Sequence, residues 1–105
     1  MRIRIELWLW LGNSPGGQFQ TLSEMRSFRE MEVEEGLTGS QILECLAAQS
    51  PVIEEKVFDR KSRRLLPHLS VVVTHDGLAV SPCDMEKTPF KDGYKITILP
   101  VYAGG

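Results

Sequence analysis

Few groups in this 105-residue sequence could do chemistry, and their spacing narrows that chemistry quickly. The two histidines, His68 and His75, come without an HExxH spacing or a cysteine cluster, so nothing about them points to a metal ion. Cys45 and Cys83 lie far apart with no CxxC pair, which fits ordinary thiols in a reducing compartment. To act as a nucleophile Cys83 would need a base and an orienting group, and the sequence points to neither. No GxxxxGKS/T or GxGxxG loop is present to hold a nucleotide. What remains is a carboxylate at the end of Leu99-Pro100-Val101-Tyr102-Ala103-Gly104-Gly105. Gly104 and Gly105 lack a Cβ and cost the most entropy to order, so they are poor structural residues. They suit a thin thread that enters a narrow slot in another protein. A bare Gly-Gly is also what a frayed end or an expression scar looks like. The β-rich run Lys95-Ile96-Thr97-Ile98-Leu99, leading through Pro100 straight into the glycines, sets this one apart.

The elements that must position such a thread follow from the rest of the chain. Ile3, Ile5, Leu7, Leu9 and Leu11 alternate with Arg2, Arg4, Glu6, Trp8 and Trp10, the period-two pattern of a half-buried strand. That alternation, and the lack of a small-residue cleavage site, argue against a signal peptide. Gly12-Asn13-Ser14-Pro15-Gly16-Gly17 marks a loop reaching to about Met25, longer than a tight hairpin needs. A second strand follows from about Arg26 to Glu34. Thr38-x-x-Gln41 fits a capping box, opening a helix whose stripe is Ile42, Leu43, Leu46 and Ala47. Pro51 limits that helix, and residues 52–58 form a further helical turn supplying Ile53, Val57 and Phe58 to the core. Leu65 to Thr74 reads as a strand, with Val71-Val72-Val73 suited to an inner position. Asp76-Gly77 is a hairpin signal, Leu78-Ala79-Val80 a short return, and Lys91-Asp92-Gly93 a turn launching the last strand. The order implies an α+β fold, a mixed sheet of four to five strands packed on one main helix, with the other sheet face free for a partner.

Composition bounds the partners. With 42% hydrophobic and 25% charged residues, the chain reads as one soluble domain over 1–105, with a flexible tail over 100–105. A net charge of -2 argues against general nucleic-acid binding. No apolar run approaches the roughly 20 residues of a membrane span, so no membrane partner is expected and the compartment is cytoplasmic. Two surfaces are candidates for docking. Trp8, Trp10 and Phe28 share one sheet face, either packed under the 12–25 loop or exposed for recognition. The turn Asp59-Arg60-Lys61-Ser62-Arg63-Arg64 carries four cations, either as a solvated loop or with Arg63 and Arg64 meeting an acidic partner.

The run from Pro89 to Gly105 (PFKDGYKITILPVYAGG) resembles the end of the ubiquitin-like sulfur carriers. It is most similar to the small subunit of molybdopterin synthase, the MoaD type, with the thiamin-pathway carrier ThiS more distant. Strand order agrees along the whole chain, while motif identity is confined to about the last quarter. There are three departures. Tyr94 replaces a usual acidic residue, Thr74-His75-Asp76-Gly77 replaces an Asn-Gly turn, and the 12–25 connection is long. The resemblance implies a β-grasp fold and no catalytic residues or bound cofactor of the chain's own. An E1-like enzyme would use ATP to adenylate Gly105, and a persulfide donor would convert the adenylate to a thiocarboxylate. The sulfur would pass to a pterin precursor in the large subunit of molybdopterin synthase. Pro100, Val101, Tyr102, Ala103 and Gly104 would thread into both partners' active sites. Carriers for thiazole or tRNA thiolation share this terminus, and a conjugation or interaction module is the alternative of a different class.

Overall fold

A computed structural model describes residues 1–9, 19–23, 25–81 and 84–101 of the chain. Three strands build its first sheet edge: β1 (Arg2–Leu7), β2 (Gln20–Ser23) and β3 (Arg26–Glu32). Two helices follow, α1 (Gly39–Gln49) and α2 (Pro51–Lys56). Next come β4 (Phe58–Asp59), β5 (Arg64–Leu65), β6 (Leu69–His75), β7 (Leu78–Ala79) and β8 (Tyr94–Pro100). Among the described residues, six strands form one sheet in the order β2-β3-β1-β8-β6-β7, and β4 with β5 forms a separate two-stranded ribbon. β1 and β8 are the central pair and run parallel, from Arg4 beside Lys95 to Leu7 beside Ile98. The other pairings in the sheet are antiparallel. This is the β-grasp arrangement, a mixed sheet curled over one main helix.

The alternation along β1 decides which face is covered. Ile3, Ile5, Leu7 and Leu9 are buried with Ile96 and Ile98 of β8 and with Ile42, Leu43, Leu46 and Ala47 of α1. The capping box at Thr38 has both bonds: Gln41 N donates to Thr38 Oγ1, and Thr38 N donates to Gln41 Oε1 at 2.9 Å. Parallel pairing of β1 with β8 needs their starts held together. Asp92 does this, its Oδ1 accepting from Arg2 N at 2.6 Å while Gly93 N donates to Arg2 O at 2.8 Å. Tyr94, the residue out of pattern, is buried between His75 and Phe90, with ring centroids 5.2 Å from each. It closes the core at this end of the sheet, where a carboxylate would be desolvated.

The structure corrects several sequence expectations. The main sheet has six strands, because β2 forms inside the connection expected to be loop and carries Phe19 at its start into the core. Phe58 leaves the helical turn as β4, and the strand expected over 65–74 is two. Pro67 has no N–H for a ladder, so the chain turns between β5 and β6, with Leu66 N donating to Val57 O and Leu69 N to Leu66 O. Val72 is 43% exposed, because only one face of the sheet is covered. Trp10, Leu11, the glycine-rich loop and Cys83 lie outside the described residues. Among the described residues, no helix is long and apolar enough to cross a membrane.

The Asp76-Gly77 turn is as expected, with φ of 52° and 81°, the positive pair that a two-residue hairpin of this hand requires. No atom lies within 4 Å of a Cβ built on Gly77, so Gly77→Ala meets no clash. It should still cost about 1 kcal/mol through left-handed backbone alone, read as a lower urea midpoint at unchanged m-value.

Candidate functional site

The root of the tail is built by the middle of the sheet. β8 lies between β1 and β6, and its register with β6 runs from Tyr94 opposite His75 to Pro100 opposite Leu69. Val101 N then donates to His68 O at 2.8 Å. Ladder bonds alternate sides along an antiparallel strand, so the nitrogen of Pro100 faces β1. On that side Trp8 N donates to Ile98 O at 2.8 Å, and the next donor of the ladder would be the N–H that proline lacks. Pro100 therefore ends the strand as its chemistry requires. Residues 100 and 101, which the sequence reading assigns to the tail, are held by the sheet, Pro100 as the last residue of β8 and Val101 through its bond to His68. Tyr102, Ala103, Gly104 and Gly105 lie outside the described residues.

Trp8 stands at the same end of the sheet as the tail root, on its open face. It is 39% exposed, and its Nε1 donates to Glu6 Oε1 at 2.9 Å. Glu6 points outward from β1 yet is buried, with 6% of its side chain exposed. Its neighbours are cations from three strands: Arg4 Nε at 3.0 Å, Arg26 Nη2 at 3.1 Å and Lys95 Nζ at 3.7 Å. The two arginines also cover the aromatic rings, Arg4 lying 4.0 Å from the centroid of Phe28 and Arg26 4.6 Å from that of Trp8. Burial by itself pushes the Glu6 carboxyl upward. The hydrogen bonds from Trp8, Arg26 and Arg4, with the charge of Lys95, overrule it and hold the pKa at about 2. The result is a preorganised surface: an exposed indole edge and three cations fixed around one carboxylate, beside the exposed Val72 and Val101.

The structure thus brings Trp8 and Phe28 onto one face, linked through Arg26, Glu6 and Arg4. Arg63 and Arg64 keep other company on the helix side, where they line a cavity with Thr38, Ser40, Gln41, Ser62 and Glu86. Four residues of the sheet face escaped the sequence reading: Arg4, Glu6, Arg26 and Lys95. Their local signal was Arg4-x-Glu6-x-Trp8 on the polar side of an alternating strand, which looks like an ordinary solvated face. The convergence of Arg26 and Lys95 on Glu6 depends on the pairing of β3 and β8 with β1.

A scan against protein-family models and a search of curated proteins find no match. Solved structures do match. SAMP1 from Haloferax volcanii aligns over 100% of both chains at 19% identity with a TM-score of 0.62. A second structure of the small archaeal modifier protein 1 of H. volcanii aligns over 94% of this chain and 95% of its own, at 20% identity and a TM-score of 0.55. The solution structure of the H. volcanii HVO 2177 protein aligns over 99% and 88%, at 19% identity and a TM-score of 0.54. At such identity the likeness shows the fold, and it covers the sheet, the helix and their order.

Proposed function

We propose that this chain is a ubiquitin-like carrier whose reactive group is the carboxylate of Gly105, activated by an E1-like enzyme and loaded with sulfur. The observation that carries the reading is the path of β8. The strand at the centre of the sheet runs into Pro100 and Val101 and then, in the sequence, into Tyr102-Ala103-Gly104-Gly105. A likeness in fold to a small archaeal modifier protein supports it. In the first step the carboxylate attacks the α-phosphorus of ATP, giving an acyl-adenylate and pyrophosphate. The terminal sulfur of a persulfide then attacks the acyl carbon and AMP leaves. A second thiol cleaves the resulting acyl disulfide, releasing the thiocarboxylate and leaving the donor as a disulfide. None of these steps needs a side chain of this protein, which acts as a co-substrate without catalytic residues of its own.

Docking falls to the sheet face around Trp8, Arg26 and Phe28, next to the tail root. Ordering the tail costs on the order of 1–2 kcal/mol per residue, so contact made by the rigid face must offset it. The acceptor we propose is a pterin precursor in molybdopterin synthesis, held by a large synthase subunit, on the strength of the PFKDGYKITILPVYAGG ending. The second reading is attachment of Gly105 to a lysine of another protein, favoured by the name of the structural neighbour as a modifier. Both begin with the adenylate. Incubation with an E1-like enzyme, ATP and a persulfide donor should give a product in which one oxygen is replaced by sulfur, seen by intact-mass spectrometry and placed at Gly105 by fragmentation. An unchanged mass with several such enzymes overturns the carrier reading, and an isopeptide-linked Gly105 in cell extracts selects the second.

A further inference from the structure

The last two residues held by the sheet are fastened more lightly than the strand they continue. Val101 N donates to His68 O at 2.8 Å, which makes His68 and Val101 a hydrogen-bonded pair. Bonded pairs alternate along an antiparallel ladder, so the next is Ser70 with Leu99. Pro100, opposite Leu69, therefore makes no bond towards β6, and Leu69 N turns to Leu66 O at 3.0 Å. On the other side, the parallel ladder with β1 reaches Trp8 N to Ile98 O at 2.8 Å. Its next bond would run from the nitrogen of residue 100 to Trp8 O, and proline has no hydrogen there. Among the described residues, one backbone hydrogen bond therefore holds residues 100 and 101 to the sheet.

Burial follows the same gradient. Ile96 and Ile98 are fully buried, Pro100 is half-buried and Val101 is 53% exposed. We propose that Pro100 makes the root of the tail peelable, so that residues 100 and 101 leave the sheet as a unit when the Val101–His68 bond breaks. The break stops at Leu99, which is tied to Ser70 and follows Ile98 in the core. Leu69, opposite Pro100, is almost buried, so peeling uncovers apolar surface and closing covers it again. The closed root is therefore favoured, with the open one a single bond away. Opening adds two residues, roughly 7 Å of extended chain, to the thread. That use of the device rests on the carrier reading: an end that must serve two active sites in turn gains a second length. Docking around Trp8 stays in place, because the Trp8–Ile98 bond is untouched.

Native-state hydrogen exchange of the full chain tests the root without any partner. The Val101 amide should be protected about tenfold to a hundredfold, and the amides of Ile96 and Ile98 at least about a hundredfold more. Pro100→Val supplies the missing donor to Trp8 O and should raise the protection of Val101 about fivefold to tenfold. Activation is read separately. With an E1-like enzyme, kcat/KM for ATP–pyrophosphate exchange should fall by about the same factor in Pro100→Val. Adding Val101→Pro, which removes the donor to His68 O, should restore it, whereas a mere change of shape at residue 100 would not be rescued. A Val101 amide as protected as that of Ile96, or one unmoved by Pro100→Val, overturns the peelable root. Undiminished ATP–pyrophosphate exchange in Pro100→Val, or a failed rescue, overturns its use in activation. A parent chain that several such enzymes leave unadenylated overturns the carrier reading and this use with it, while hydrogen exchange still decides the root.

Discussion

Removal of Gly104 and Gly105 is expected to leave a folded chain that an activating enzyme no longer adenylates. Among the described residues, the last bond of the ladder comes from Val101 N, and the buried core draws on nothing beyond Ile98. The shortened chain should therefore unfold in urea within about 0.5 kcal/mol of the full one. Activation needs the carboxylate at the far end of a slot, so shortening the thread by two residues, roughly 7 Å when extended, withdraws it from ATP altogether. ATP–pyrophosphate exchange should fall to background. Gly104→Val keeps the length and tests the width of the slot. A β-branched side chain in a channel fitted to bare backbone should slow exchange by on the order of a hundredfold, the usual cost of misplacing a reacting group by about 1 Å. Undiminished exchange by the shortened chain would sink the carrier proposal and leave the sheet face as a docking surface without a reactive tail.

The second large effect is expected at Glu6. Its carboxyl titrates near 2 in the folded chain against 4.5 when free, so the folded state binds its proton less readily than the unfolded one. The stability this contributes is complete above about pH 4.5 and is lost as the pH falls towards 2. Because Arg4, Arg26 and Lys95 remain one-third to one-half exposed, solvent screens part of the network. The contribution is then about 2 kcal/mol, a substantial share of the stability of a domain this size. Glu6→Gln should lower stability by that order at neutral pH and remove this part of the acid dependence. Subtracting urea curves of the variant from those of the parent between pH 6 and pH 2 isolates it from the other carboxylates. Parallel curves over that range would mean that the cations do not stabilise the carboxylate. The same variant releases the indole of Trp8 and frees Arg26, so docking to an activating partner should weaken more than folding does.

Much of the scaffold was legible because its signals are local. Alternation along β1 placed Ile3, Ile5 and Leu7 inside, Thr38 and Gln41 marked the start of α1, and Asp76-Gly77 specified its turn. β2 was hidden, since a four-residue exposed edge strand, Gln-Thr-Leu-Ser, carries no alternation to read. The break at Pro67 is hard to read because the three valines after it signal strand more strongly than one lost donor signals a turn. A run of three valines looks like a strand covered on both faces, and only the sheet order tells that the face carrying Val72 is open.

The chemistry proposed for the tail comes from the sequence alone, from two glycines that follow a strand and a proline. The surface that would present it does not. Glu6, Arg26 and Lys95 are far apart in the chain, and each alone is an ordinary charged residue on a polar strand face. Parallel pairing of β1 with β8 and antiparallel pairing with β3 set them around one buried carboxylate. Only tertiary structure decides this, because hydrogen-bonded register, and not residue type, determines which charges become neighbours.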